Sequence, residues 1–301
     1  MKLFDGAVFN SNGMKRFFYF FLFYLFSFIV TADEAVCVFV SILPQKYFVE
    51  KIGQKRVKVS VLVQPGYEPH SYEPKPRQMM ELAAARIYFA IGFPFEQTWL
   101  SKFRSVNPSM LIVQTDEGIR KVPSVHHEQA GEKGENEVLD PHIWLSPVLV
   151  RKQALTIKNA LIRADPMHQD QYESNFRQFD NELSGLHQEF KRIFSEGTLK
   201  NRAFLVYHPS WGYFARDYHL DQIPIEQEGK EPKPQYLEQL IIRSRTLGIK
   251  VVLIQPEYSV KMAQTIASAT GAKVITADVM SENWGENLKK VSRELQAAMQ
   301  E

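Results

Sequence analysis

QDQYESNFRQFDNELSGLHQEFKRIF, residues 169–194, carries Tyr172, Phe176, Phe179, Leu183, Leu186, Phe190 and Phe194 at steps of three and four. That spacing lines up one face of a helix and predicts a single long amphipathic helix. Asp165-Pro166 interrupts the helical pattern before it, and proline is tolerated in a first helical turn. On the N-terminal side, strand-like runs at 35–43, 57–63, 86–91 and 110–114 alternate with helical patterns at 76–85 and 93–106. On the C-terminal side, strands at 203–207, 250–255 and 273–277 alternate with helices at 211–218, 237–247, 259–270 and 284–299. Such alternation implies βα units around parallel sheets. The predicted fold is α/β: two domains, each a parallel sheet flanked by helices, joined by one long interdomain helix. The expected division is 33–165 for the first domain, 166–196 for the linking helix and 197–301 for the second.

The composition agrees with this. The chain has 301 residues, 45% hydrophobic and 23% charged, which excludes collagen-like, coiled-coil and wholly disordered chains. A single cysteine excludes a disulfide framework or a Cys-rich metal cluster within one chain. With 36 basic and 34 acidic residues, the chain lacks the charge of a general nucleic-acid binder.

Residues 1–32 read as a segment apart. Lys15 and Arg16 precede an uncharged run at 17–30 that holds seven of the 21 Phe, and Val30-Thr31-Ala32 offers small residues at a cleavage point. These are the parts of a secretory signal peptide. The run is short for a membrane span of roughly 20 residues, so the mature chain is expected to start near Asp33, without a span, in the periplasm. Glu34-Ala35-Val36 before Cys37 is a poor lipoprotein signal, and Cys37 reads as a buried strand thiol.

The familiar phosphate, zinc-protease and redox motifs are missing: no G-x-G-x-x-G, P-loop, H-E-x-x-H or C-x-x-C occurs. Four residues stand out by position. His208 follows the strand at 203–207, and Asp278 follows the strand at 273–277. His70 lies a few residues beyond 57–63, and His142 just before a helix. Ligands of parallel α/β sheets bind beyond the carboxyl ends of the strands. Three imidazoles and a carboxylate form a closed four-ligand set suited to Zn²⁺. Each His taken alone reads as a hydrogen-bonded structural side chain, and it is the four placements together that point to a metal site. The other histidines lie elsewhere: 126 and 127 in a polar loop at 121–139, 168 and 187 with the long helix, and 219 at the end of a short helix.

Three stretches carry a resemblance: Pro69-His70-Ser71-Tyr72-Glu73-Pro74, Asp140-Pro141-His142-Ile143-Trp144-Leu145-Ser146-Pro147 and Tyr207-His208-Pro209-Ser210-Trp211-Gly212-Tyr213-Phe214. They are similar to the metal-ligand motifs of the zinc and manganese solute-binding proteins of ABC transporters, the ZnuA-like members of the TroA-like group (cluster A-I). The resemblance covers nearly the whole mature chain. It implies that His70, His142 and His208 are ligands from three loops and that Asp278 is the fourth. It further implies a monomer that binds Zn²⁺ as transported ligand and delivers it to an ABC permease driven by a cytoplasmic ATPase, without catalysis. Zinc-binding members resemble this chain in having His at the third ligand position, where manganese members tend to have Glu, so His208 favours zinc. The polar loop, with His126, His127, Glu128, Glu132, Glu135 and Glu137, reads as a solvated loop, with zinc collection as the alternative.

Three other functions compete with this one. His208-Pro209-Ser210-Trp211-Gly212 imitates a serine-hydrolase elbow, but only His219 follows Ser210, so the acid and histidine that must follow in order are missing. A zinc hydrolase would keep an open water position beside three His, with Glu68 or Glu257 as base. An adhesin would make the metal site incidental.

Overall fold

The computed structural model describes residues 34–124, 139–227 and 229–301. The export signal expected at 1–32 and most of the polar loop, including His126 and His127, lie outside the described residues.

The first half has four strands: β1 (Val36–Val40), β2 (Val57–Val61), β3 (Ile87–Ala90) and β4 (Leu111–Gln114). Three helices connect them: α1 (Leu43–Gly53), α2 (Pro76–Leu82) and α3 (Pro94–Val106). The strands form one parallel sheet in the order β2-β1-β3-β4. Each of these helices has proline in its first turn, where a backbone N–H has no intrahelical partner to lose. Cys37 departs from expectation. Val36 and Val38 on either side of it are buried, whereas the thiol residue is only half-buried, on the other face of the strand.

Two helices follow, α4 (Pro147–Ala164) and α5 (Gln169–Ile193). Ser146 caps α4, its side chain accepting from Leu149 N at 3.2 Å. The expected apolar stripe on α5 is real: Tyr172, Phe179, Leu183, Leu186 and Phe190 are buried. A short 3₁₀ turn, Pro166–His168, takes up the proline before α5 begins.

The second half repeats the topology without repeating the sequence. Its strands are β5 (Ala203–Val206), β6 (Asp221–Pro224), β7 (Val251–Ile254) and β8 (Lys273–Thr276), parallel in the order β6-β5-β7-β8. Its helices are α6 (Gly212–Asp217), α7 (Pro234–Thr246), α8 (Val260–Thr270) and α9 (Trp284–Met299). The sequence pattern leaves β6 out. It is an edge strand of four residues ending in Pro224, with a half-polar face, and an edge is where a sheet tolerates proline.

Residues Val36–Glu301 make one compact unit. Its main core runs from the first sheet through α4 and α5 to α9. Tyr47 and Phe48 of α1, Phe179 of α5 and Trp284 of α9 meet ring to ring, with Phe48 edge-on to Trp284 at 5.1 Å. Burying each such side chain stabilises the fold by about 1.5–3 kcal/mol. Because the cluster draws on both halves, the long helix is held as a shared spine rather than as a free linker.

Candidate metal centre

The strands of both sheets end at one cleft. His70 reaches it from the long connection after β2, His142 from the segment before α4, and His208 from the end of β5. One ring nitrogen from each lies within 4.8 Å of the others. The ring centroids are 5.2–5.4 Å apart. Residues separated by up to 138 positions in sequence thus meet at one point, as expected of a ligand set drawn from three loops.

Carboxylates orient two of the three rings. Asp140 Oδ1 lies 2.7 Å from His142 Nδ1 and also accepts from His142 N at 2.9 Å. Glu226 Oε1 lies 2.7 Å from His208 Nδ1. Both carboxylates are buried. In each ring the carboxylate takes Nδ1–H, which makes Nε2 the nitrogen for a metal and raises its basicity. Burial, partly opposed by Asp140, holds the His142 pKa below its ordinary value, in favour of the neutral imidazole that ligates metals. The expected set did not contain Asp140 or Glu226 as functional residues. Asp140 stands two places before His142, and that closeness within one motif is the signal that could have found it. Glu226 follows β6, and without that strand nothing in the sequence connects it to His208.

The rest of the cleft fixes these positions. Gln255, just after β7, donates to His208 O at 2.8 Å and to Ser210 Oγ at 2.9 Å. The Tyr258 ring stacks beside His208, and its hydroxyl donates to Glu68 across the mouth at 3.4 Å. The His142 segment is bonded to the second half at several points. Tyr213 donates to Asp140 O at 2.8 Å, Ser146 Oγ donates to Asp217, and Trp284 Nε1 donates to Trp144 O at 2.8 Å. Trp144 Nε1 in turn donates to Val279 O at 2.7 Å. A Cβ at Gly212 would lie 3.0 Å from Asp140 Oδ2, so a larger residue there would press on that carboxylate.

Asp278 lies outside the three-histidine group. Its Oδ1 accepts from Met280 N at 2.9 Å, and burial raises its pKa. Its neighbours Val279 and Met280 line the cleft, and its charge is felt by Glu257 on the rim. The cleft that the three histidines line together with Glu68, Gln255 and Tyr258 has a volume of about 20 Å³. That is room for one ion or one water, far below the roughly 300 Å³ or more of an organic-ligand site.

The chain is similar to known proteins in sequence and in fold. The high-affinity zinc uptake system protein ZnuA of Bacillus subtilis (strain 168) is 28% identical over 238 residues, covering 76% of this chain and 74% of that one. A crystal structure of ZnuA superposes with a TM-score of 0.82 at 44% identity, covering 88% of this chain and all of the other. A zinc-bound ZnuA with residues 138–173 of its own chain deleted superposes at 0.80, with 43% identity over 89% of this chain and 99% of that one. The family model for zinc-uptake complex component A, periplasmic (ZnuA), matches residues 38–298. The chain therefore belongs to the ZnuA family.

Proposed function

We propose that the chain captures Zn²⁺ outside the cytoplasm and hands it, as a monomer, to an ABC permease driven by a cytoplasmic ATPase. His142 and His208 bind through Nε2, His70 closes the imidazole triad, and Asp278 supplies the fourth ligand by turning from Met280 N towards the cleft. The ligands come from both sides of the spine: His70 and His142 from 33–165, His208 and Asp278 from 197–301, with 166–196 between. Residues 1–32 direct export to the periplasm. Among the described residues no helix is long and apolar enough to cross a membrane.

The convergence of three ring nitrogens within 4.8 Å carries this proposal. Three imidazoles with two buried carboxylates behind them suit Zn²⁺ better than Mn²⁺, which prefers oxygen ligands. The small volume of the cleft, about 20 Å³, favours a single ion over an organic substrate. Titration of metal-free protein with Zn²⁺ in competition with a chelator tests the proposal. His70→Ala, His142→Ala and His208→Ala should each lose affinity by orders of magnitude while keeping the wild-type far-ultraviolet spectrum. Wild-type affinity in all three would refute the site. X-ray absorption of the zinc-loaded protein tests Asp278: Asp278→Ala should replace one carboxylate oxygen by water. An unchanged shell would remove Asp278 from the set.

A further inference from the structure

A third buried carboxylate lies behind the wall of the cleft and touches none of the histidines. Glu96, in the first turn of α3, is 1% exposed. Its Oε2 accepts from Gly92 N at 2.7 Å, and its Oε1 from Ile91 N at 3.0 Å and from Ser41 Oγ. The Ser41 hydroxyl lies 2.6 Å from that of Tyr88, so Tyr88, Ser41 and Glu96 form a chain of hydrogen bonds from β3 to α3. The two amides belong to the turn between β3 and α3. Gly92 has φ +87°, and a Cβ there would meet Asp116 Oδ2 and Lys121 Nζ, whose ion pair at 2.6 Å flanks the turn. The turn is thus fixed by Glu96 on one side and by this ion pair on another.

The next residue is Phe93, fully buried. Its ring stands at 88° to His70 with centroids 5.3 Å apart, at 90° to His142 at 6.4 Å, and tilted on Trp144 at 5.4 Å. Carboxylates hold Nδ1 of His142 and of His208, and Phe93 packs against two of the three imidazoles, His70 and His142. A carboxylate buried at Glu96 costs desolvation, which its backbone and hydroxyl donors offset.

We propose that Glu96 is a positioning residue of the metal centre: by holding the Ile91 and Gly92 amides it seats the Phe93 ring against His70 and His142, fixing the imidazole angle and keeping water from that side. This rests on the three-histidine site proposed above. Glu96→Gln replaces one acceptor oxygen with an NH₂ group that faces backbone N–H donors. It should weaken Zn²⁺ binding about tenfold, the lower end for outer partners of metal ligands, and shift the visible absorption of the Co²⁺-loaded protein. Phe93→Leu should do the same. The double variant should be no worse than the weaker single variant, because both changes act through one ring. Ser41→Ala, which removes only the hydroxyl donor, should give a smaller shift in the same direction.

Wild-type zinc affinity and cobalt absorption in folded Glu96→Gln would overturn the proposal, as would losses that multiply in the double variant. If Glu96→Gln does not fold, Ser41→Ala decides: wild-type affinity and absorption there overturn the proposal equally. His70→Ala separates the two levels. If it loses zinc while the Glu96 and Ser41 variants keep it, the ligand site stands and the positioning role falls. If it keeps zinc, the ligand site falls and the positioning role falls with it.

Discussion

Glu96 in the first half and Glu226 in the second are both almost fully buried, at 1% and 2% exposure, yet they hold different things. Glu226 grips an imidazole directly, at His208 Nδ1. Glu96 grips only backbone amides and a serine hydroxyl, and reaches the centre through Phe93. The difference follows from where the histidines leave their sheets. His208 comes straight off β5, a central strand with β6 and β7 on either side, so a residue just past a neighbouring strand can reach it. His70 comes off a long connection after β2, an edge strand, with a neighbour on one side only. The two sheets share one strand order, and the two buried glutamates reach the cleft by different routes, one through an imidazole and the other through the phenyl ring of Phe93.

The strongest test of this contrast removes the rings themselves. His70→Ala and His208→Ala should both lower zinc affinity by orders of magnitude, but with different residues. His208→Ala takes away the imidazole that Glu226 Oε1 holds. Losing that buried bond costs stability, so metal-free His208→Ala should also melt lower than metal-free His70→Ala. Calorimetry of the two metal-free variants checks this. Equal melting temperatures would mean that Glu226 contributes nothing through His208.

The next effect is a pH dependence, and it belongs to the first half. Burial, opposed by Ser41 and the Ile91 and Gly92 amides, raises the Glu96 pKa from 4.5 to about 7. Between these values the folded chain keeps a proton on Glu96 that the unfolded chain has lost. Stability from this group is therefore greatest below pH 4.5 and declines as pH rises to about 7, by on the order of 3 kcal/mol at most. Asp116 pushes in the same direction, and Lys121 and Tyr88 are the other titratable groups beside the turn. Urea midpoints of metal-free protein from pH 4.5 to 8 should show the decline, and Glu96→Gln should flatten it. An equal slope in both proteins would refute the assignment.

A smaller effect compares the two imidazole-bound carboxylates. Asp140→Asn and Glu226→Gln each remove the charge behind one ring and should weaken zinc binding by about 10–100-fold. Asp140 also accepts from His142 N, which retains an acceptor in Asn, so Asp140→Asn should be the milder of the two. Competitive titration ranks them. The reverse order would show that the backbone bond contributes little.

The sequence shows the parts of this design unevenly. The α5 stripe, both βα halves and the three histidine motifs stand out because periodicity and local motif spacing are one-dimensional signals. β6 does not, since four residues with Asp221, Gln222 and Pro224 among them carry no alternation. Glu226 is lost along with that strand. Glu96 is visible only as an acidic residue in a helical first turn, a pattern shared by many exposed caps. Its importance comes from what folds over it. Asp278 is legible as a strand-end carboxylate, but the turn that bonds it to Met280 N is not.

The smallest expected effect lies where the halves touch at the surface. Lys46 of α1 pairs with Glu282, in the segment that runs from Asp278 to α9, and the Glu282 hydrogen bond raises the Lys46 pKa. The pair spans the two sides of the chain beside the Phe48–Trp284 contact, so it is well placed to fasten the Asp278 segment. Its exposure limits what it can contribute. The Glu282 side chain is 59% exposed, and an exposed pair gains at most about 1 kcal/mol. Trp144 Nε1 to Val279 O and Trp284 Nε1 to Trp144 O are buried bonds that fasten the same segment more firmly. Glu282→Gln should therefore lower the melting temperature slightly, with the difference shrinking in high salt, and leave zinc affinity within twofold of wild type. A tenfold loss of affinity would show that the surface pair, rather than the tryptophans, holds Asp278 in register with the histidines of the cleft.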